Sequence, residues 1–143
     1  DFEGTYYRRT KASYNEKLAW MFDGVSDELI GGFGYSGGGA AGYELDRVEL
    51  RLGTPENAVV IAVSEKHPDH FVMPPEQWLT HLKTWSGPPE EELIRADMLY
   101  FKVPGGGQVF STGSITFTGS LPWNNFENNI SRLLGNVIKR FTE

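Results

Sequence analysis

The sequence predicts an α/β fold in which a sheet with a hairpin is covered by a C-terminal amphipathic helix, and three stretches carry that prediction. Ala58-Val59-Val60-Ile61-Ala62-Val63 is uninterrupted and largely β-branched, the pattern of a strand buried on both faces. Two strand-like runs, Met98 to Val103 and Gln108 to Ser111, flank Pro104-Gly105-Gly106-Gly107, a hairpin signal. Ile130, Leu133, Leu134, Val137, Ile138 and Phe141 follow helical spacing and define one apolar face.

The remaining elements follow in chain order. Residues 1–16 are polar and read as an entry segment or edge strand. Leu18-Ala19-Trp20-Met21-Phe22, bounded by Asp23-Gly24, reads as a short strand. Leu29-Ile30 leads into a glycine-rich stretch from Gly31 to Gly42, and residues 43–52 mix apolar and charged residues without a clean face. Residues 64–97 form a polar excursion with Pro68, Pro74, Pro75, Pro88 and Pro89. Within it, Trp78, Leu79, Leu82 and Trp85 suit a short helix over Glu76 to Trp85. Ser114-Ile115-Thr116-Phe117-Thr118 alternates and extends the hairpin's second arm or begins another strand. Asn124, Asn125 and Asn128 are N-cap candidates for the last helix, with Glu127 at its positive end and Lys139 and Arg140 at its negative end.

A length of 143 residues suits one core rather than two. The net charge of −6 removes the electrostatic attraction to phosphates that drives most nucleic-acid binding. No run is long and apolar enough to span a bilayer. With no cysteine there are no disulfides, thiolate metal sites or thiol nucleophiles, and a reducing cytoplasm is the expected setting. Asp1-Phe2-Glu3-Gly4 has neither an initiator methionine nor a secretory leader, so the sequence is expected to start inside a larger reading frame.

Glycine is over-used, at 17 of 143 residues, and the excess gathers before Glu44. Gly32-Phe33-Gly34-Tyr35-Ser36-Gly37 matches the dinucleotide fingerprint in letters only, because Gly38-Gly39-Ala40-Ala41-Gly42 cannot cheaply open a helix. The same missing helix weakens Gly34-Tyr35-Ser36-Gly37-Gly38 as a nucleophile elbow, although His67, His70 and His81 lie downstream of Ser36. In His67-Pro68-Asp69-His70, Pro68 breaks any helix that would align the two imidazoles on a metal. Pro122-Trp123-Asn124-Asn125 has the look of a sugar platform, but a helix entry with Trp123 as hydrophobic staple and an Asn cap explains it better. Small residues before Glu44 would let the backbone approach a reacting centre, where desolvation suits a carboxylate to acid–base work. The plainer alternative is a flexible surface loop with Glu44 solvated.

Gly37-Gly38-Gly39-Ala40-Ala41-Gly42-Tyr43-Glu44-Leu45-Asp46-Arg47 resembles the GGGAAG-x-ELDR segment of N,N-dimethylformamidase large subunits. Upstream, Arg8-Arg9-Thr10, Phe22-Asp23-Gly24-Val25 and Ile30 to Gly34 fit the same pattern. Downstream, Leu52-Gly53-Thr54-Pro55, Ser64-Glu65-Lys66-His67, Arg95-Ala96-Asp97-Met98, Gly106 to Ile115, Gly119-Ser120-Leu121-Pro122 and Asn128 to Arg132 follow in order.

The resemblance implies that residues 1–143 are a single segment, the C-terminal part of a domain similar to class I glutamine amidotransferases in a longer chain. That fold is layered α/β with a mixed sheet. The family reaction is hydrolysis of N,N-dimethylformamide to dimethylamine and formate, with a non-haem iron whose tyrosine and glutamate ligands lie outside this segment; no metal residue is assigned within it. Glu44 matches the ELDR glutamate and is the implied acid–base residue beside the iron. Gly39, Asp46, Arg47 and His67 are supporting candidates, with Asp46 and Arg47 expected to pair. Implied partners are the rest of the large subunit, a small subunit and a small amide substrate, in an oligomer. Two other functions stay open: a non-catalytic assembly module, and a serine hydrolase acting through Ser36.

Overall fold

The computed structural model describes residues 3–76 and 90–143. Among them, β1 (Tyr7–Arg9), β2 (Leu29–Ile30), β3 (Val59–Ser64), β4 (Asp97–Lys102) and β5 (Gln108–Ser111) form one sheet in the order β2-β1-β3-β4-β5. Helices whose bounds fall within the described residues are α1 (Glu90–Leu93), α2 (Phe117–Ser120) and α3 (Asn129–Thr142). The architecture is thus α/β with a C-terminal helix.

Every described strand pairing is antiparallel, which corrects the expected mixed sheet. Parallel neighbours need long helical crossovers, whereas β4 and β5 are joined by a tight turn. In that turn Val103 N–H donates to Gly107 O at 2.9 Å and Gly106 N–H donates to Val103 O at 3.2 Å. The β-branched run is β3, at the centre of the sheet. Its burial is concentrated at Ile61, Ala62 and Ser64, while Val59, Val60 and Val63 are half-buried. A register shift against β4 falls between Val60 and Ala62.

The entry segment is not an edge strand. β1 lies between β2 and β3, and its Tyr7 is fully buried with the hydroxyl donating to Thr112 O at 2.7 Å. Arg9, also buried, has its guanidinium 4.1 Å from the Tyr14 ring centroid and 3.8 Å from that of Phe22. Nη1 donates to Val25 O, so cation–π stacking and a carbonyl compensate the charge where no carboxylate among the described residues bonds to it.

The run expected as a strand at 18–22 is a 3-10 turn, Ala19–Phe22. Its buried residues, Leu18, Met21, Phe22 and Val25, stand at i, i+3, i+4 and i+7, a helical rather than an alternating pattern. They pack in the same core as Ile130, Leu133 and Val137 of α3. Burying each such side chain contributes about 1.5–3 kcal/mol. The apolar face of α3 ends early, because Ile138 and Phe141 are exposed.

Asn128 caps α3. Its Oδ1 accepts from Ser131 N–H at 2.9 Å, while Nδ2 donates to Leu121 O at 3.0 Å and Trp123 O at 2.7 Å. Trp123 is not the expected staple: it stacks on Phe33, centroids 6.0 Å apart, and lies 5.2 Å from Tyr35. Nor does Ser114–Thr118 continue a strand. Gly113, at φ 70°, turns the chain away after β5, and α2 begins at Phe117. The helix expected at Glu76 to Trp85 lies almost wholly outside the described residues, as does His81.

Candidate functional site

The glycine-rich stretch leaves β2 and folds back on the N-terminal segment. Thr5 N–H donates to Ala41 O at 2.8 Å, Ala41 N–H returns a bond to Thr5 O at 3.0 Å, and Gly4 N–H donates to Gly37 O at 2.7 Å. The two backbones lie so close that a Cβ on Gly39 would come within 2.4 Å of Thr5 N. Gly39 is therefore required by packing. Residues 35–38 form a turn and no helix opens after Gly37, so the geometry of a dinucleotide loop or nucleophile elbow is missing. Ser36 is exposed in that turn. The described histidine with a serine partner is His67, and its partner is Ser64.

Ser114 holds the end of the glycine stretch. Its buried hydroxyl accepts from Gly42 N–H at 2.9 Å and donates to Gly42 O at 2.7 Å, closing a clamp on one peptide. Gly42 O also accepts from Glu44 N–H at 2.8 Å, and the intervening Tyr43 has φ 65°. This is a γ-turn with a left-handed central residue, a rare and strained form. The strain sits one residue before Glu44.

Beyond it, Asp46 is tied by its backbone on both sides. Its N–H donates to Gly113 O at 2.8 Å and its carbonyl accepts from Asp97 N–H at 2.9 Å. The Asp97 carboxylate, only 2% exposed, accepts from Val48 N–H at 2.8 Å and from Arg95 Nε at 2.9 Å. One buried acid thereby fixes the segment carrying Glu44, Asp46 and Arg47 to the start of β4. Arg47 is half-buried; burial, followed by the Arg95 charge, lowers its guanidinium from the ordinary value, with Glu49 and Asp97 opposing.

Glu44, Asp46 and Arg47 line one concavity of about 250 Å³, with Phe71, Val72 and Met73 on a facing wall. Glu44 and Asp46 are exposed at its surface. The desolvation expected around Glu44 is thus not provided by the described residues of this chain.

His67 stands apart from that lining. Its Nε2 is 2.6 Å from Ser64 Oγ, which also accepts from Ala96 N–H at 2.7 Å. Which of the two donates follows the tautomer of the ring, whose other nitrogen is Nδ1. That Nδ1 is buried with no hydrogen-bond partner among the described residues. Burial pushes the imidazole down to about 4, so the ring is neutral at pH 7. The Phe71 ring, 5.1 Å away, links His67 to the concavity wall.

Sequence reasoning missed Ser114, Asp97 and Tyr43 as organisers of this site. Ser114 and Asp97 lie inside stretches that carried the family resemblance, which was the available signal; the left-handed turn at Tyr43 leaves no trace in residue type.

These features define an α/β module that presents a carboxylate from a clamped glycine loop at the rim of a small concavity. Residues 2–129 match the family described as "N,N-dimethylformamidase beta subunit-like, C-terminal", and the chain belongs to that family. It is 44% identical over 138 residues to the N,N-dimethylformamidase beta subunit of Paracoccus aminophilus. It is 41% identical over 138 residues to the protein of the same name from an Alcaligenes species. Each alignment covers 95% of this chain but 18% of the relative, so the chain spans under a fifth of the length of these two proteins. No helix among the described residues is long and apolar enough to cross a membrane.

Proposed function

We propose that this chain supplies an acid–base glutamate, Glu44, to an amidohydrolase that cleaves N,N-dimethylformamide or a similar small amide to an amine and formate. The family match carries the reading, since both named relatives are dimethylformamidase beta subunits aligned through the Glu44 segment. The clamped, strained presentation of Glu44 supports it, because strain concentrates where geometry serves chemistry.

Amide hydrolysis needs one proton removed from the attacking water and one delivered to the departing nitrogen. Glu44 takes the first as a base and returns it as an acid, so that the amine leaves neutral. Other parts of the subunit, closing over the exposed carboxylate, would exclude bulk water from this exchange. Iron is implied by the resemblance, and among the described residues no three His, Cys, Asp or Glu side chains converge to hold it. Its ligands are assigned to the rest of the subunit, and no step is routed through it. We further assign residues 1–143 to the later part of a glutamine amidotransferase-like domain in a cytoplasmic, oligomeric enzyme with a small partner subunit. The sheet covered by a C-terminal helix supports that assignment in outline.

The decisive experiment is Glu44→Gln in the intact enzyme. Amide hydrolysis should fall by about 10²–10⁴-fold while fold and bound iron persist. Near wild-type turnover would remove Glu44 from the reaction. It would favour the second reading, a non-catalytic assembly module, for which the exposed Leu50 and Leu52 beyond the Glu44 segment speak. Protection of residues 50–52 from hydrogen exchange in the assembled enzyme would mark that contact.

A further inference from the structure

A second concavity, of about 410 Å³, opens between the turn at 15–20, the end of β4 and the last turn of α3. It shares no lining residue with the Glu44 concavity. We propose that it binds a small flat organic anion of the aryl carboxylate class.

The aromatic part of the groove is made by Trp20, Tyr100 and Phe101. The Trp20 and Tyr100 rings meet edge to face, centroids 5.8 Å apart. The Tyr100 hydroxyl donates to Gln108 Oε1, which holds this ring before any ligand arrives. The charged part is Lys17, Lys102 and Arg140, and among the described residues no Asp or Glu lines the groove. Among the described residues none of the three cations is ion-paired; the Arg140 guanidinium instead lies over Trp20, 5.7 Å from the ring centroid. In a chain of net charge −6, one aromatic groove thus gathers three cations, while Asp23 and Glu143 line the neighbouring concavity on the other side of Trp20 and Arg140. Asn57 Nδ2 donates to Lys102 O at 2.7 Å and fixes the backbone from which Lys102 extends.

The geometry sets the ligand's chemistry. The volume is within the range of small-molecule sites. A planar apolar body would lie against Trp20 and Phe101, and a carboxylate at its edge would meet the lysines and the arginine fork. A neutral aromatic would satisfy only the first requirement, and a small anion without a ring only the second.

The test is titration of the protein with 2-naphthoate, read by calorimetry and by the Trp20 indole resonance. 2-Naphthylmethanol and acetate serve as the neutral and ringless controls. Naphthoate should saturate and shift the Trp20 signal, with both controls weaker by at least about tenfold. Lys102→Gln and Arg140→Gln, both at exposed positions, should each weaken naphthoate about tenfold with an unchanged circular dichroism spectrum. Three results would overturn the proposal: no perturbation at Trp20, equal binding of 2-naphthylmethanol, or full affinity in the double variant. The outcome is independent of Glu44, because amide turnover is not the readout.

Discussion

The two concavities are built by opposite means. Around Glu44 the backbone is tied down by buried polar hooks, with Ser114 on Gly42 and Asp97 on Val48 and Arg95, while the acid itself stands in solvent. Around Trp20 aromatic packing holds the groove, and its cations carry no ion pair among the described residues. The contrast teaches where a substitution will be felt. A change to a hook at the first site alters the shape of the chain, whereas a change to a cation at the second alters what the surface attracts.

The largest expected effect separates chemistry from shape. Glu44→Gln should cost about 10²–10⁴-fold in turnover with little change in stability, because the side chain is exposed. Asp97→Ala should do the reverse first, destabilising the protein by about 3–5 kcal/mol by stranding Arg95 and the Val48 amide. Urea denaturation measures it, and a loss below about 1 kcal/mol would show that the buried acid is not the anchor described. Ser114→Ala leaves both polar groups of Gly42 without their clamp, at about 1–3 kcal/mol. If the clamp shapes the γ-turn, this variant also loses turnover with bound iron retained, whereas unchanged kinetics would reduce Ser114 to a packing role. The cations of the Trp20 groove, by contrast, should tolerate neutral replacement within about 0.5 kcal/mol.

His67 gives an effect that depends on pH and has a definite sign. Its imidazole is held near 4 by burial against an ordinary 6.5. Between those values the unfolded chain takes up a proton that the folded chain refuses. The contribution is intact above about pH 6.5 and is lost progressively as pH falls toward 4. His67→Asn should flatten the stability slope in this window relative to wild type, as read from thermal midpoints across pH 4–7. An identical slope in both proteins would mean that His67 is not the titrating group.

The sequence made some of this legible and concealed the rest for physical reasons. The hairpin, the central strand and α3 were readable because each is specified locally, by turn glycines, β-branching or helical period. The turn at 19–22 was misread because Leu18, Met21, Phe22 and Val25 interleave with Ala19 and Trp20, so adjacency masked a helical spacing. The antiparallel sheet was missed because strand direction is settled by partners far apart in sequence, such as Tyr7 opposite Ser64. At the site, Glu44 and Gly39 stood out through the glycine excess and the resemblance. Ser114 acts through two bonds to a single peptide 72 residues away, which no local pattern announces.

The position of β1 also bears on how the molecule assembles. The β4–β5 hairpin closes across a few residues, while β1 must reach β3 over a loop of roughly fifty, at a higher entropic cost. Pulse-labelled hydrogen exchange during refolding should therefore protect Phe101 and Val109 before Thr10, whose N–H donates to Ile61 O of β3 at 2.9 Å. Protection in the opposite order would contradict this sequence of events. The glycine stretch bonds to Thr5, immediately before that strand. Whatever loosens β1 therefore also loosens the backbone that leads to Glu44, so the shape of the site depends on a strand more than thirty residues away in the chain.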